Sequence, residues 1–255
     1  MAFHGRVALV TGGGSGMGQR ACERLAARGH DVAAIDVDEA GLERTAASDP
    51  RIRTYVCDVT DTEGVEKVVA EVESDLGPVD RTIAAAAIMP SGLIADMDAA
   101  TIRRVMDIDY GGVVNVVKAT LPGMLERRTG DQIIFSSLMG HMPTMHLGAY
   151  CAAKFAVRAF TEILYHENRA SGVRFACVCP PMVETPLLSQ VTTDMKAMDA
   201  GAEPLTPDQV LDAIEADLDK GRFWVMPGQA KGASVAARLI PKLIWKNMHK
   251  IEGIA

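Results

Sequence analysis

The 255-residue sequence predicts an α/β fold, a doubly wound parallel sheet with helices on both faces, and three observations predict it. Short apolar runs alternate with helix-length amphipathic stretches along the chain, the pattern of βαβ units joined by right-handed crossovers. The first run, Val7-Ala8-Leu9-Val10, ends in a glycine-rich turn, Thr11-Gly12-Gly13-Gly14-Ser15-Gly16-Met17-Gly18. Apolar residues make up 48% of the chain and aromatics 5%, so the core must be built from Ala, Val, Ile, Leu and Met, as in a buried parallel sheet. No internal repeat or low-complexity tract breaks the alternation, and residues 1–255 read as one domain.

The elements follow in order. Ala21, Leu25 and Ala26, set against Arg20, Glu23 and Arg24, predict a helix that Gly29 closes. Val32 to Ile35 is a second strand ending on Asp36, and Ile52 to Cys57 a third ending at Asp58-Val59. Thr60 with Glu63 predicts a capping box for a helix whose apolar face is Val65, Val68, Val69, Val72 and Leu76. Gly77-Pro78 stops it, and Thr82 to Ala86 is read as the fourth strand. A helical stretch from Ala99 to Arg128 leads to a strand over Gln132 to Phe135. The helix through Tyr150 is expected to reach Gly172, before a strand from Val173 to Cys179 that meets Pro180-Pro181. Residues 186–205 lack a period and are expected to form a mobile flap. Thr206-Pro207-Asp208-Gln209 sets a helix start with an N-cap, Pro at N1 and Gln at N3. Gly221 ends that helix before a last strand from Phe223 to Met226.

Charge and cysteine usage exclude several functions. A formal charge of −7 and a pI near 5.4 leave no basic footprint for nucleic acid. Cys22, Cys57, Cys151, Cys177 and Cys179 show neither a paired framework nor ligand spacing, so buried free thiols and no metal are expected. Met1 to Arg6 leads straight into a strand without a signal-peptide pattern, and no apolar run is long enough to span a bilayer. The expectation is a cytoplasmic protein.

Two stretches carry chemistry. Glycines in the first turn let main-chain N–H groups approach a pyrophosphate at a helix N-terminus, and no Gly-Lys-Ser/Thr follows to make a P-loop. Asp36 would accept hydrogen bonds from ribose hydroxyls and repel a 2′-phosphate; with Val37 next and no cation in the glycine turn, NAD is expected over NADP. Asp58 is read either as a partner for the adenine amino group or as a solvated loop acid. In Tyr150-Cys151-Ala152-Ala153-Lys154, the tyrosine and lysine stand at i and i+4 on one helix face. There a neighbouring ammonium is expected to pull the phenol below its usual pKa of about 10.

With these motifs in order, the sequence resembles the short-chain dehydrogenase/reductase family over almost its whole length. The matching pieces are Thr11-Gly12-x-x-x-Gly16-x-Gly18, Asp58-Val59, Ser137, Tyr150-x-x-x-Lys154, and Pro180 with Thr185. The resemblance implies a single-domain Rossmann sheet of about seven strands in the order 3-2-1-4-5-6-7. It implies Tyr150 as general acid/base, Lys154 as its partner and ribose ligand, and Ser137 as hydrogen-bond donor to the substrate oxygen. Val183 and Thr185 would hold the nicotinamide carboxamide. Gly12, Ser15, Gly16, Met17, Gly18, Asp36, Asp58, Val59, Ala85 and Pro180 complete the expected cofactor set. It also implies a homo-oligomer, a tetramer or dimer. Three positions depart from the family: Ala84-Ala85-Ala86-Ala87 replaces Asn-Asn-Ala-Gly, Asp109 stands for the catalytic-helix asparagine, and Pro180-Pro181 replaces Pro-Gly. Asp109 is expected beside Lys154, in the proton relay.

Met139, His141, Met142, Met182 and Leu187 fall where a substrate pocket is expected, and adaptable methionines suggest a hydrophobic secondary alcohol or ketone. The tail over residues 231–251 carries five Lys/Arg and no acid between Lys231 and Lys250, with an apolar stripe of Val235, Leu239, Ile240, Leu243, Ile244 and Met248 and a kink at Pro241. Packing over the pocket or a neighbouring subunit is the favoured reading, and a membrane surface the other. The expected activity is that of an NAD-dependent dehydrogenase/reductase. The alternative is a dinucleotide-binding regulatory or scaffold protein on the same fold.

Overall fold

In the computed structural model, which describes residues 3–196 and 203–253, the chain begins with β1 (Val7–Thr11), α1 (Gly16–Ala27) and β2 (Asp31–Asp36). Next come α2 (Glu39–Ala46), β3 (Ile52–Val56), α3 (Thr62–Leu76) and β4 (Val79–Ala84). Then follow α4 (Ala99–Met106), α5 (Gly112–Arg127), β5 (Asp131–Phe135), α6 (Gly148–Glu167) and β6 (Arg174–Val178). The last elements are α7 (Pro207–Asp219), β7 (Trp224–Val225), α8 (Ala230–Leu239) and α9 (Pro241–Glu252). All strand pairs are parallel, in the order β3-β2-β1-β4-β5-β6-β7 that the resemblance implied.

Alternate strand residues feed two cores. Val7 and Leu9 pack with Val65, Val68, Val72, Val113, Val117 and Val157, under α3, α5 and α6. Ala8 and Val10 pack with Ala21, Leu25, Leu42, Val210 and Ile214, under α1, α2 and α7. A third cluster, of Met89, Val105, Leu147, Tyr150 and Met195, joins α4 to the start of α6. At the other end of the strands, buried Arg81 donates to Asp131 through Nε and Nη2 at 2.9 and 2.7 Å, and Arg174 donates to the same carboxylate. Among the described residues no helix is long and apolar enough to cross a membrane. The five thiols are all buried and free, and the Sγ atoms of Cys177 and Cys179 are 3.8 Å apart on one side of β6.

Several expectations are corrected. Asp61, not Thr60, caps α3: its carboxylate accepts from Gly64 N, while Thr60 is held by Asp58 through both its N–H and its hydroxyl. β4 starts three residues early, because Val79 pairs with Val7. The stretch from Ala99 to Arg128 is not one regular helix, since a π-helical turn over Asp107–Gly111 separates α4 from α5. α6 ends at Glu167, where the Asn168 side chain bonds to the Leu164 carbonyl. α2 has no counterpart in the sequence reading, its short length and Gly41 hiding the period. The capping box at Thr206 is present in full. The 186–205 segment opens with a 3₁₀ turn, Pro186–Gln190, where Gln190 accepts from Met89 N, and Ser91 accepts from Thr192 and Thr193 N–H. The rest of the expected flap, residues 197–202, lies outside the described residues.

Candidate active site

The C-terminal ends of β1, β2, β4, β5 and β6 open into a cleft of about 700 Å³. One end is the glycine turn. Gly12 sits at φ +72°, and a Cβ there would come within 3.0 Å of Ala86 N. A Cβ on Gly18 would collide with the Gly12 carbonyl oxygen, so α1 approaches the strand end only because side chains are missing. Ser15 is the extended N-cap of α1, and its hydroxyl makes no cap bond to the helix. This cradle of bare backbone at a helix N-terminus fits a pyrophosphate.

Asp36 ends β2 at the rim of the cradle. Its Oδ2 accepts from Gly14 N at 2.9 Å and its Oδ1 from Asp38 N at 3.0 Å, which fixes the carboxylate while each oxygen keeps a free lone pair. Asp58 lines the cleft as well. Both of its bonds to Thr60 use Oδ1, so Oδ2 is left for a ligand.

The loop after β4 is held through its main chain. Thr11 Oγ1 accepts from Ala85 N and Ala86 N at 3.2 and 3.3 Å, and Asp109 Oδ1 accepts from Ile88 N at 2.9 Å. Main-chain donors hold the loop where side-chain amides are absent.

At the other end stand Ser137, Tyr150 and Lys154. Ser137 follows β5 in extended conformation, and its Oγ accepts from Met139 N. Tyr150 and Lys154 leave α6 one turn apart, with Nζ 5.5 Å from the phenol ring centroid. Lys154 Nζ donates to the Phe135 carbonyl at 3.1 Å and pairs with Asp109 Oδ2 at 3.4 Å. The π-helical turn places Asp109 there, a local widening of the helix of the kind found at functional sites. Asp109 does not line the cleft; its carboxylate is buried beside Lys154.

Burial sets the electrostatics. It pushes Tyr150 above the usual phenol range; Lys154 and the Ser137 hydrogen bond counter this, and Asp109 adds to it. The expected downward shift is thus reversed, because burial outweighs the pull of the lysine. Burial also raises Asp109. For Lys154 burial is the largest single effect and acts downward, but Asp109, Tyr150 and Cys177 together outweigh it and the ammonium is held above its ordinary value.

Every residue expected to hold the cofactor lines the cleft: Gly12, Ser15, Gly16, Met17, Gly18, Asp36, Asp58, Val59, Ala85, Tyr150, Lys154, Pro180, Val183 and Thr185. Of the expected pocket residues, Met139, Met142, Met182 and Leu187 do so too. His141 does not. Its ring packs edge-on against Trp224 at 5.3 Å, since the 3₁₀ turn over Leu138–Gly140 gives the cleft to Met139 and sends His141 behind it. The sequence reading gave no pocket role to Ile88, Met89, Gln190, Asn247 or Ile251, all of which line the cleft. Ile244 and Met248, from the predicted tail stripe, join them, so one side of α9 closes the mouth.

Residues 6–196 match the family described as short chain dehydrogenase. The chain belongs to that family. Among its relatives, glycine betaine reductase ATRR of Emericella nidulans is 35% identical over 219 residues, which are 82% of this chain but 17% of that protein. The putative oxidoreductase SadH of Mycobacterium tuberculosis is 31% identical over 254 residues, 94% of this chain and 92% of its own. A short-chain dehydrogenase from Streptomyces avermitilis superposes with a TM-score of 0.83 at 25% identity, covering 97% of this chain and 98% of that one. The chain therefore spans about a sixth of the fungal relative and nearly all of SadH.

Proposed function

We propose that this dehydrogenase moves a hydride between NAD(H) and an apolar secondary alcohol or ketone, with Tyr150 as the proton donor and acceptor. One observation carries the reading: a single cleft joins the Asp36 carboxylate and the glycine cradle to Ser137, Tyr150 and Lys154. The nicotinamide supplies the hydride when bound. The chain supplies the rest. Asp36 accepts from the adenosine ribose hydroxyls and repels a 2′-phosphate, which favours NAD. Lys154 takes the nicotinamide-side ribose, and Val183 and Thr185 the carboxamide.

In the reducing direction, Ser137 and Tyr150 hold the carbonyl oxygen. As its carbon accepts the hydride, the Tyr150 hydroxyl gives its proton to that oxygen and the alcohol forms. A phenol raised by burial stays protonated across the physiological range, which suits this direction. The methionines and aliphatic residues around the cleft favour a bulky apolar substrate over a sugar.

The test follows NADH and NADPH absorbance with a panel of cyclic and long-chain ketones, simple sugars and the corresponding alcohols. Turnover of an apolar ketone with NADH is the expected result. Turnover confined to small polar sugars would overturn the substrate reading, and tight cofactor binding without any turnover would favour a regulatory protein.

A further inference from the structure

α9 presents two faces. Ile244, Asn247, Met248 and Ile251, at i, i+3, i+4 and i+7, look into the cleft. Leu243, Lys246 and Lys250, at i, i+3 and i+7, share an adjoining outer face, and all three are exposed. Exposed aliphatic side chains continue along the chain through the break at Ile240 into α8. Val235 is 49% exposed, Leu239 73%, Ile240 47% and Leu243 50%, a group of large aliphatic side chains left in water on the two C-terminal helices and the break between them. Lys231, Arg238, Lys242, Lys246 and Lys250 stand among them, with no acid between Lys231 and Lys250, on a chain whose formal charge is −7.

We propose that α8 and α9 dock the protein on an anionic lipid bilayer surface, with the mouth of the cleft turned toward the lipid. Aliphatic side chains interleaved with lysines whose stems can extend past them match such a surface, apolar below and negatively charged above. The remainder of the chain is acidic and is repelled by the same surface, so attraction is confined to one end and sets the orientation. Self-association through this face fits less well, because a twofold contact would set a cationic segment against its own copy with no acid inside it to pair. The helix that would touch the lipid is the one that closes the cleft, so an apolar substrate dissolved in the bilayer would have a short path to Tyr150.

The test is co-sedimentation of the full chain with phosphatidylcholine vesicles and with vesicles holding about 30% phosphatidylglycerol, in low salt and in about 0.5 M salt. It needs no substrate, so it succeeds or fails apart from the proposed reaction. The wild type should partition at least about tenfold more onto the anionic vesicles in low salt, and lose that advantage in high salt. The double variants Leu239→Glu/Leu243→Glu and Lys246→Glu/Lys250→Glu, none of whose positions lines the cleft, should each lose the binding about tenfold or more while keeping their circular dichroism. Wild-type protein that stays in the supernatant, or that binds neutral vesicles equally, would overturn the proposal. So would a drop in mass on sedimentation velocity for Leu239→Glu/Leu243→Glu without any vesicle binding, which would give the face to a second copy.

Discussion

The Asp109 carboxylate stands 3.4 Å from the Lys154 ammonium, and both side chains are sealed from solvent. Asp109 Oδ2 has no aligned hydrogen bond, so the contact is an ion pair held in place by the Ile88 N–H on the other oxygen. The Asp109 charge opposes the effect of Lys154 on Tyr150.

Replacing Asp109 by Asn removes the opposing charge and keeps the acceptor for Ile88 N. Reduction needs the protonated phenol, so its rate falls as pH rises through the Tyr150 pKa, which lies above the ordinary phenol value. Without the aspartate that pKa drops, and the basic limb of the reduction profile should move to lower pH. Profiles that coincide for wild type and Asp109→Asn would mean that Asp109 does not tune the tyrosine.

Asp36 is expected to decide the cofactor. Asp36→Ala removes both the acceptor for ribose hydroxyls and the repulsion of a 2′-phosphate. The ratio of kcat/KM for NADH over NADPH should fall by about tenfold or more, the worth of one to two charge-assisted hydrogen bonds. An unchanged ratio would show that selection lies elsewhere in the cleft.

Much of this site was legible in the sequence because backbone chemistry writes itself there. The glycine cradle needs missing side chains, the strand-end acid needs a strand before it, and Tyr150 and Lys154 need one helical turn between them. All of these rest on local spacing. What the sequence did not disclose depends on three-dimensional crowding. The sign of the Tyr150 shift follows from burial, which no local pattern encodes. His141 left the pocket through a 3₁₀ turn too short to show a period. α9 reached the cleft from the far end of the chain, and its stripe turned out to be divided between an inner and an outer face. The Thr60 misreading has the same origin, since two neighbouring residues could cap α3 and Asp58 had already engaged one of them.

The choice of cap can be measured. Asp61→Ala should lower stability by about 1 kcal/mol, the usual cost of losing an N-cap acceptor. Thr60→Ala should cost less. A urea titration of both variants checks this, and the reverse order would restore Thr60 as the cap.

Away from the cleft, Asp131 is the shared acceptor of Arg81 and Arg174. Asp131→Ala leaves the Arg81 guanidinium almost wholly buried, with Glu215 as its remaining carboxylate partner. The loss should be about 3 kcal/mol or more, near the range for breaking a buried pair. Chemical denaturation would show it as an earlier midpoint, and a shift below about 1 kcal/mol would mean that water or Glu215 takes over the charge.

The central claim is that Tyr150 carries the proton in a cleft that also holds the cofactor. The direct measurement compares wild type with Tyr150→Phe, for NADH binding by fluorescence and for single-turnover reduction of the best apolar ketone. The claim predicts that binding is kept within a few-fold while the hydride step slows by about 100-fold or more, the usual range for a lost general acid. A Tyr150→Phe enzyme that reduces the ketone at the wild-type rate would contradict it.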